Sequence, residues 1–321
     1  MLKLILRRLA VLPLILLAVA TVTFVLTEIS PFDPVEAYVG AENNVSPQRK
    51  AEIAHAWGFD QPLPERFGRW IGNLAQGDMG NSVIAGGQPV AAEIASRAGA
   101  SIALVGGALA LVLVGGLVFG VLAAAFRGTF FDWLVRTMCY FNTAAPSFWV
   151  GLLALYLFSI ELGWLPAGGS SDPRAIEAAG VDFEHLILPM VVLSLTGYAW
   201  FTLFVRNTLL EVLREDHVQF ARAQGIGEVA VLLRYALPNA LIPFVTLVGT
   251  HLAELIGGTI LIEKIFGWPG LGLLTFNAAV NEDIPLIVGI TLCGCVLVVL
   301  GNLLADVLYR VMDPRVREAL T

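Results

Sequence analysis

Six apolar segments, each about as long as a lipid bilayer is thick, constrain the fold of this chain more than any other feature. A helix needs about 20 mostly apolar residues to cross the hydrocarbon core. Only 14% of the residues are charged, against about 25% in soluble domains. The sequence therefore predicts an all-α polytopic membrane protein with six transmembrane helices. The segments are Leu9–Leu26, Ile102–Phe126, Leu134–Ile160, Leu186–Val205, Ala240–Ile262 and Ile284–Leu308.

The first segment has a signal peptide as its alternative, because Lys3, Arg7 and Arg8 precede it. Its apolar stretch is about 18 residues long, whereas a signal core has about 7–15. We expect this segment to be retained as a membrane helix.

The distribution of Lys and Arg predicts the orientation. Six spans place both termini on one side, and if that side is the cytoplasm, 12 of the 19 basic residues are cytoplasmic. Five of the other seven lie in the long first outside loop, and long loops weigh little in the positive-inside rule. We expect cytoplasmic N- and C-termini. The net charge of −7 gives no indication of a nucleic-acid partner.

The chain divides into three regions. Residues 1–29 hold the N-terminus and the first span, residues 30–99 form an extracytoplasmic cap, and residues 100–321 form the membrane core. Four apolar residues at helical spacing predict an amphipathic helix in the cap: Phe67, Trp70, Ile71 and Leu74. Outside loops are also expected near Gly163 and from Glu263 to Asp283, and Trp268 in the latter is expected at headgroup level.

Two spans have unusual composition. Five glycines in the second span predict close helix packing in lipid: Gly106, Gly107, Gly115, Gly116 and Gly120. The third span is interrupted by polar residues from Asn142 to Ser147, with Pro146 removing a backbone hydrogen bond. Such a break is tolerated where protein or a water-filled cavity covers it, so it indicates either a transport pathway or a packing kink.

The segment Arg206–Pro238, called the charged segment below, holds four Arg, three Glu and one Asp between two apolar spans. It must leave the hydrocarbon, because a charge at the bilayer centre costs several kcal/mol, on the order of 3. Its broken helical period around Gly225 and Gly227 predicts two short helices separated by a glycine turn. We interpret it as a docking surface.

The charged segment resembles the coupling loop of ABC importer permeases, with Ala221, Gly225 and Leu237-Pro238 at the family spacing. Gln219, Phe220 and Tyr235 stand where that pattern has Glu, Ala and Ile. Further matches in family order are Gly77-Asp78-x-Gly80-x-Ser82, Pro146-Ser147-Phe148-Trp149, Gly163-Trp164-Leu165-Pro166, His185-x3-Pro189, Ala236 to Pro243, Glu263-x2-Phe266-x2-Pro269-Gly270-Leu271-Gly272, Asp306-x2-Tyr309 and Asp313-Pro314-Arg315. The chain resembles dipeptide, oligopeptide and nickel permease subunits of binding-protein-dependent ABC importers.

The resemblance implies a type I importer permease fold in a bacterial inner membrane. It implies a second homologous permease subunit, two ATPase subunits that hold ATP and Mg, and an extracytoplasmic substrate-binding protein. No cofactor or metal is expected on this chain, and the substrate is a peptide or, alternatively, a nickel or metal chelate or an opine. The ATPase-coupling residues would be Phe220, Ala221, Arg222, Ala223, Gln224, Gly225, Ile226, Gly227, Val229 and Leu232.

The sequence also indicates that this chain is not the ATPase, because it contains no G-x-x-x-x-G-K-[ST] phosphate-binding loop. A secondary transporter is the remote alternative and predicts inverted repeats, of which we find no convincing trace. An intramembrane enzyme predicts paired catalytic groups at membrane depth. No such pair occurs, so no catalytic residues are predicted.

His251 and Glu254 form an ionisable pair inside the fifth span and share a helix face with Thr250. Intramembrane ionisable groups usually mark a pathway, so these residues, with Asn142 and Pro146, are candidate pathway residues. The alternative is a mutually satisfied pair or a contact with the partner permease. Asp306, near the end of the sixth span, is expected to bond to backbone or to Arg310.

Replacement of Glu254 distinguishes these alternatives. If Glu254 meets a cationic group of the substrate, Glu254→Ala leaves assembly intact and lowers uptake into proteoliposomes. Uptake at the wild-type rate would leave only the structural alternative.

Overall fold

The structure is a computed structural model that describes residues 2–29, 46–48, 51–52, 55, 61–82, 84–170 and 182–312. The named elements in these residues are helices: α1 (Leu2–Ile29), α2 (Leu63–Ala75), α3 (Val90–Ala125), α4 (Phe130–Ala144), α5 (Ser147–Ala154), α6 (Phe183–Val212), α7 (Asp216–Ala223), α8 (Glu228–Ala230), α9 (Leu237–Phe266), α10 (Leu271–Val280) and α11 (Ile284–Met312). π-Helical stretches at Leu155–Glu161 and Val231–Ala236 follow α5 and α8.

Among the described residues, four helices are long and apolar enough to cross a membrane. They contain Ile5–Leu26, Val90–Ala125, Phe183–Val212 and Ile284–Val307. The count rises to six if each of two bent helix pairs is one span. The third predicted segment is one of these pairs, and the fifth continues past its predicted end into the other.

Glycines on α3 let it lie directly against α6. A Cβ added at Gly116 would come 2.8 Å from Cβ of Phe201, and one at Gly120 would come 2.7 Å from Cβ of Val205. The Gly120 position also lies 2.8 Å from the carbonyl oxygen of Thr202, so the backbones themselves are close. The predicted close packing of the second span is confirmed, and α6 is its partner.

The largest buried cluster lies where α3, α6 and α9 meet. Aliphatic side chains from these three helices are less than a tenth exposed and pack together. This cluster fixes the crossing of the three helices near one end of the molecule. Its main members are Leu104, Ala108, Val192, Leu193, Leu255 and Ile262.

Helix α2 packs across the ends of α1 and α11. The rings of Phe67 and Trp70 lie 5.1 and 5.7 Å from that of Phe24 on α1. Trp70, Ile71 and Leu74 pack around a cluster that includes Val288 and Leu292 of α11. The predicted amphipathic helix of the cap is therefore present; residues 30–45, 49–50, 53–54 and 56–60 of that region lie outside the described part.

The third predicted span is interrupted at the predicted place. Helix α4 ends at Ala144, Ala145 is extended with ψ 131°, and α5 starts at Ser147 after Pro146. A residue before proline avoids the helical region for steric reasons, so the sequence imposes this interruption. The two halves make an angle of 107°, which is far larger than an ordinary proline kink.

The fifth predicted span is followed by a sharp bend. Helix α9 ends at Phe266, Gly267 follows with φ +58°, and α10 begins at Leu271 after a bend of 79° between Leu255–Phe266 and α10. Trp268 is 0% exposed, and its indole N–H donates to the carbonyl oxygen of Ala100 over 3.0 Å. The position of Trp268 at headgroup level stays a prediction, whereas the structure shows that the turn carries its indole inward to a backbone acceptor of α3.

Asp306 on α11 pairs with Arg8 on α1. The Nε and Nη2 atoms of Arg8 lie 2.9 and 2.7 Å from Oδ2 of Asp306. The side chain of Arg310, the expected partner, lies outside the described part of the chain. The pair instead joins the first and last helices of the chain.

The packing of α3 on α6 predicts different costs for two glycine replacements in one helix. Gly120→Ala inserts a methyl group against the α6 backbone and should destabilise the protein by about 1–3 kcal/mol, as overpacking does. Thermal unfolding of the purified protein in detergent measures the effect. Gly106→Ala is the control, because a Cβ there meets nothing within 4 Å. Equal melting temperatures for the two variants would contradict the packing argument.

Candidate functional site

The charged segment folds into two short helices separated by a glycine turn, as predicted. Helix α7 ends where Gln224 N–H donates to Phe220 O over 3.1 Å and Gly225 N–H donates to Arg222 O over 2.9 Å. Gly225 has φ +79°, a conformation that residues with a Cβ adopt only with strain. Helix α8 starts three residues later at Glu228.

The inner face of the charged segment is anchored to the spans. Val218, Ala221 and Val231 are at most 2% exposed and pack against Leu209 and Val212 at the end of α6. Ala124, Ala236 and Ala240 complete the same cluster. Such burial removes apolar surface from water, so the short helices are held by packing and not by their own length.

The outer face presents apolar side chains to solvent. Phe220 is 64% exposed and Val229 is 72% exposed, one on each short helix. Of the ten residues predicted to contact an ATPase, one is buried and three are half-buried, namely Ala221 and then Arg222, Ile226 and Leu232. The other six are exposed: Phe220, Ala223, Gln224, Gly225, Gly227 and Val229.

Arg222 connects the two short helices. Its Nε and Nη2 atoms donate to the two carboxylate oxygens of Glu228 over 2.9 and 3.0 Å. Its Nη1 donates to the carbonyl oxygen of Leu213, as does Nε2 of Gln219, over 3.2 and 2.8 Å. Because a paired guanidinium fixes orientation as well as distance, Arg222 holds the glycine turn in one geometry.

Two of the candidate pathway residues, Asn142 on α4 and His251 on α9, contact α6. The amide of Asn142 donates to the carbonyl oxygen of Leu195, and Pro146 is exposed at the break. His251 is 5% exposed and lies directly over Gly197, where a Cβ would come 1.7 Å from its Nε2. Asn142 and His251 thus meet the same turn of α6. The side chains of Thr250 and Glu254 lie outside the described part.

Sequence reasoning missed Glu263, a fully buried carboxylate at the end of α9. Its Oε1 accepts from the hydroxyl of Ser101 over 2.8 Å, and its Oε2 accepts from the N–H of Leu273 over 2.8 Å. The Ser101 Oγ in turn accepts from Leu271 N–H over 2.7 Å. Together they satisfy free N–H groups in the first turn of α10, which a helix start leaves without intrahelical partners.

Asp283 was also missed and performs a similar role at the start of α11. Its Oδ2 accepts from the hydroxyl of Ser82 over 2.6 Å and from Ile84 N–H over 3.0 Å. Its Oδ1 accepts from Leu286 N–H over 3.2 Å. A third buried carboxylate, Asp132 on α4, pairs with Arg206 on α6.

The sequence contains a partial indication that two of these buried polar residues are important. Glu263 and Ser82 belong to motifs that carry the family resemblance, and each lies next to a glycine-rich turn. Their partners lie 162 and 201 residues away in the chain, so spacing could not identify them. The fold is needed to bring each carboxylate to its donors.

The fold defines the class of protein. A chain of an inward-facing MetNI methionine ABC transporter superposes with a TM-score of 0.54 at 20% sequence identity, covering 68% of this chain and 96% of that one. This likeness shows the fold of a type I ABC importer permease. The family model for binding-protein-dependent transport system inner membrane components matches residues 116–318, and the N-terminal model of such components matches residues 1–92. The chain belongs to this family.

Relatives from several bacteria match nearly the whole chain. A putative peptide permease protein of Brucella suis is 36% identical over 94% of this chain and 95% of its own length. The oligopeptide transport system permease protein of Bacillus subtilis is 35% identical with the same coverage. The di/tripeptide transport system permease protein of Pseudomonas aeruginosa is 37% identical over 99% of both chains.

The role of Arg222 can be tested on the isolated subunit. Arg222→Gln removes the pair with Glu228, so amide hydrogen exchange from Gly225 to Val231 should accelerate severalfold, because the turn opens locally more often. Arg234→Gln, in the same segment, is the control. Unchanged exchange in the Arg222 variant would show that the buried face alone fixes the turn.

Proposed function

We propose that this chain is a permease subunit of an ATP-driven ABC importer of peptides. The observation that carries the proposal is the charged segment, which is anchored to α6 on one face and presents Phe220 and Val229 on the other. Membership of the transport family supports it. The three relatives cited are named for peptides, which favours peptides over nickel chelates or opines as substrate.

The proposed assembly contains a second permease, two ATPase subunits and a substrate-binding protein. The charged segment and both chain termini face the cytoplasm in a bacterial inner membrane, and the cap faces the binding protein. ATP and Mg are held by the ATPase subunits. Closure of the ATPase pair on ATP would draw the two charged segments together and change access to the pathway by movement of whole helices.

The outer face of the charged segment has the chemistry of a docking site. An exposed aromatic ring beside polar residues is typical of an interface anchor, because the ring buries a large area at low cost in side-chain entropy. Phe220 stands where the family pattern has an alanine. The ATPase groove that receives it should therefore contain a pocket wide enough for a phenyl ring.

We propose a pathway role for five residues, and the support for this role differs between them: Asn142, Pro146, Thr250, His251 and Glu254. The exposed break at Pro146 fits a pathway wall, since irregular backbone at membrane depth needs a polar or protein-lined surrounding. His251 is buried against Gly197 and Phe201, and this burial favours a packing role for its ring. A pathway role is also proposed for Glu254 and Thr250, and the Glu254→Ala variant described above tests it for Glu254.

Docking through Phe220 predicts the effect of a charge at that position. Phe220→Asp places a carboxylate in the proposed apolar pocket, so copurification of the ATPase subunits with the permease should fall at least tenfold. The permease itself should remain in the membrane at wild-type amount, because Phe220 is exposed and contributes little to its core.

Ile84→Asp is the matched control. Ile84 is also an exposed apolar residue, 37% accessible, but it lies in the turn that precedes α3, on the side proposed to face the binding protein. Its replacement should leave ATPase copurification unchanged. If Phe220→Asp retains the ATPase subunits as well as Ile84→Asp does, the docking surface lies elsewhere and the proposed function loses its main support.

A further inference from the structure

Helices α4 and α6 are joined at one end by a buried ion pair. Nε and Nη2 of Arg206 donate to the two carboxylate oxygens of Asp132 over 2.6 and 2.8 Å. The side chains are 11% and 1% exposed. Gly128 N–H also donates to Asp132 over 3.0 Å, and Arg136 lies 3.4 Å from it. The paired fork fixes both the separation and the rotation of the two helices.

The same helices are joined again about three turns away. The side-chain amide of Asn142 donates to the carbonyl oxygen of Leu195. The two contacts are separated by ten residues on α4 and eleven on α6, which is about 15 Å and about 16.5 Å of helix at 1.5 Å per residue. The helices therefore run antiparallel with matched spacing.

Apolar side chains fill the interval between these polar contacts. Val135 and Cys139 on α4 pack with Ala199 on α6, and Leu203 lies against the same cluster. The four α4 positions of this contact surface recur at intervals of three or four residues, so they form one stripe along the helix. We call this surface the α4–α6 seam.

The seam connects the charged segment to the break in the third span. Beyond Arg206, α6 continues for less than two turns to Val212, against which Val218 and Ala221 of the charged segment pack. Beyond Asn142, α4 continues for two residues to Ala144 and is followed by the 107° bend at Ala145-Pro146. A displacement of the charged segment therefore reaches this bend through packed helices.

We propose that α4 and α6 move as one rigid unit, locked by Asp132 and Arg206, and that this unit carries the motion of the charged segment to a hinge at Ala145-Pro146. The inference rests on the proposed coupling function of the charged segment. Asp132 and Arg206 are positioning residues, since they act through the geometry of the seam. Without the lock, α6 can tilt against α4 and the motion dissipates before it reaches the hinge.

Distance measurements in the assembled transporter test the rigid unit. The full complex, with its ATPase subunits, is reconstituted in a Cys139→Ser, Cys293→Ala, Cys295→Ala background, in which serine keeps the size of the buried Cys139 side chain in the seam. Spin-label pairs are placed at exposed positions: Tyr140 with Trp200 across the seam, and Tyr140 with Leu152 across the bend. Between the nucleotide-free and vanadate-trapped states, the distance across the seam should stay constant and the distance across the bend should change by several ångströms. A change across the seam, or none across the bend, overturns the proposal.

The lock is tested by replacing its members. In Asp132→Asn the distance across the bend should no longer respond to nucleotide, and peptide uptake per ATP hydrolysed should fall at least tenfold. Arg206→Lys, which keeps the charge but loses the fork, should give an intermediate ratio, and it replaces Asp132→Asn as the test if the latter does not insert. Asp306→Asn is the control, because it breaks another interhelical Arg–Asp pair and should leave the ratio unchanged.

A further label at Leu233 separates failure of this inference from failure of the proposed function, because Leu233 is an exposed residue of the charged segment outside the ten predicted coupling residues. If the ATPase subunits do not engage the charged segment, the label at Leu233 reports no change with nucleotide, and the proposed function is contradicted. If Leu233 responds while Asp132→Asn and Arg206→Lys both retain the wild-type response across the bend and the wild-type uptake ratio, the seam is not the route and the inference is overturned.

Discussion

The architecture depends on the close approach of α3 to α6. Helices in lipid gain little from the hydrophobic effect, so their association depends on close contact over a long surface. Gly116 and Gly120 provide that contact by letting the α6 backbone lie where side chains would otherwise stand. With α6 fixed from this side, α4, α9 and the charged segment are all positioned by packing against it. The helix that carries the charged segment is thus the most constrained helix of the described core.

Buried carboxylates compensate for the places where the helices are interrupted. Inside a bilayer no water is available to a free backbone N–H, so each helix start needs a partner from the protein. Glu263 accepts from Leu273, Asp283 from Ile84 and Leu286, and Asp132 from Gly128. All three carboxylates lie at a turn or a helix start. These hydrogen bonds explain how three carboxylates are buried between apolar helices.

The sequence alone was sufficient for features that depend on local pattern. The apolar lengths predicted several helices long enough to cross a membrane, Pro146 predicted the break between α4 and α5, and Gly225 predicted the turn between two short helices. Long-range contacts were not predictable in this way: the turn residues around Trp268 do not indicate that the turn folds inward and that the indole reaches Ala100. The donors to the buried carboxylates were missed for the same reason. A hydrogen bond between Ser101 and Glu263 depends on the crossing of two helices, and local periodicity does not specify that crossing.

The two breaks in the spans differ in how firmly they are held. At the second break, Glu263, Ser101 and the Trp268 indole tie α9, α10 and α3 together through hydrogen bonds between distant parts of the chain. At the first, the described backbone hydrogen bonds are local, from Ala145 to Phe141 and from Val150 to Pro146, and Pro146 is exposed. A bend changes its angle more easily where apolar contacts hold it than where directed hydrogen bonds do. Beyond the first bend, Gly151 of α5 lies against Val192 of α6 and Ile265 of α9, and these contacts are apolar. Since α4 is fixed to α6 along its length, a movement of α6 is taken up where α4 ends, at the bend at Pro146.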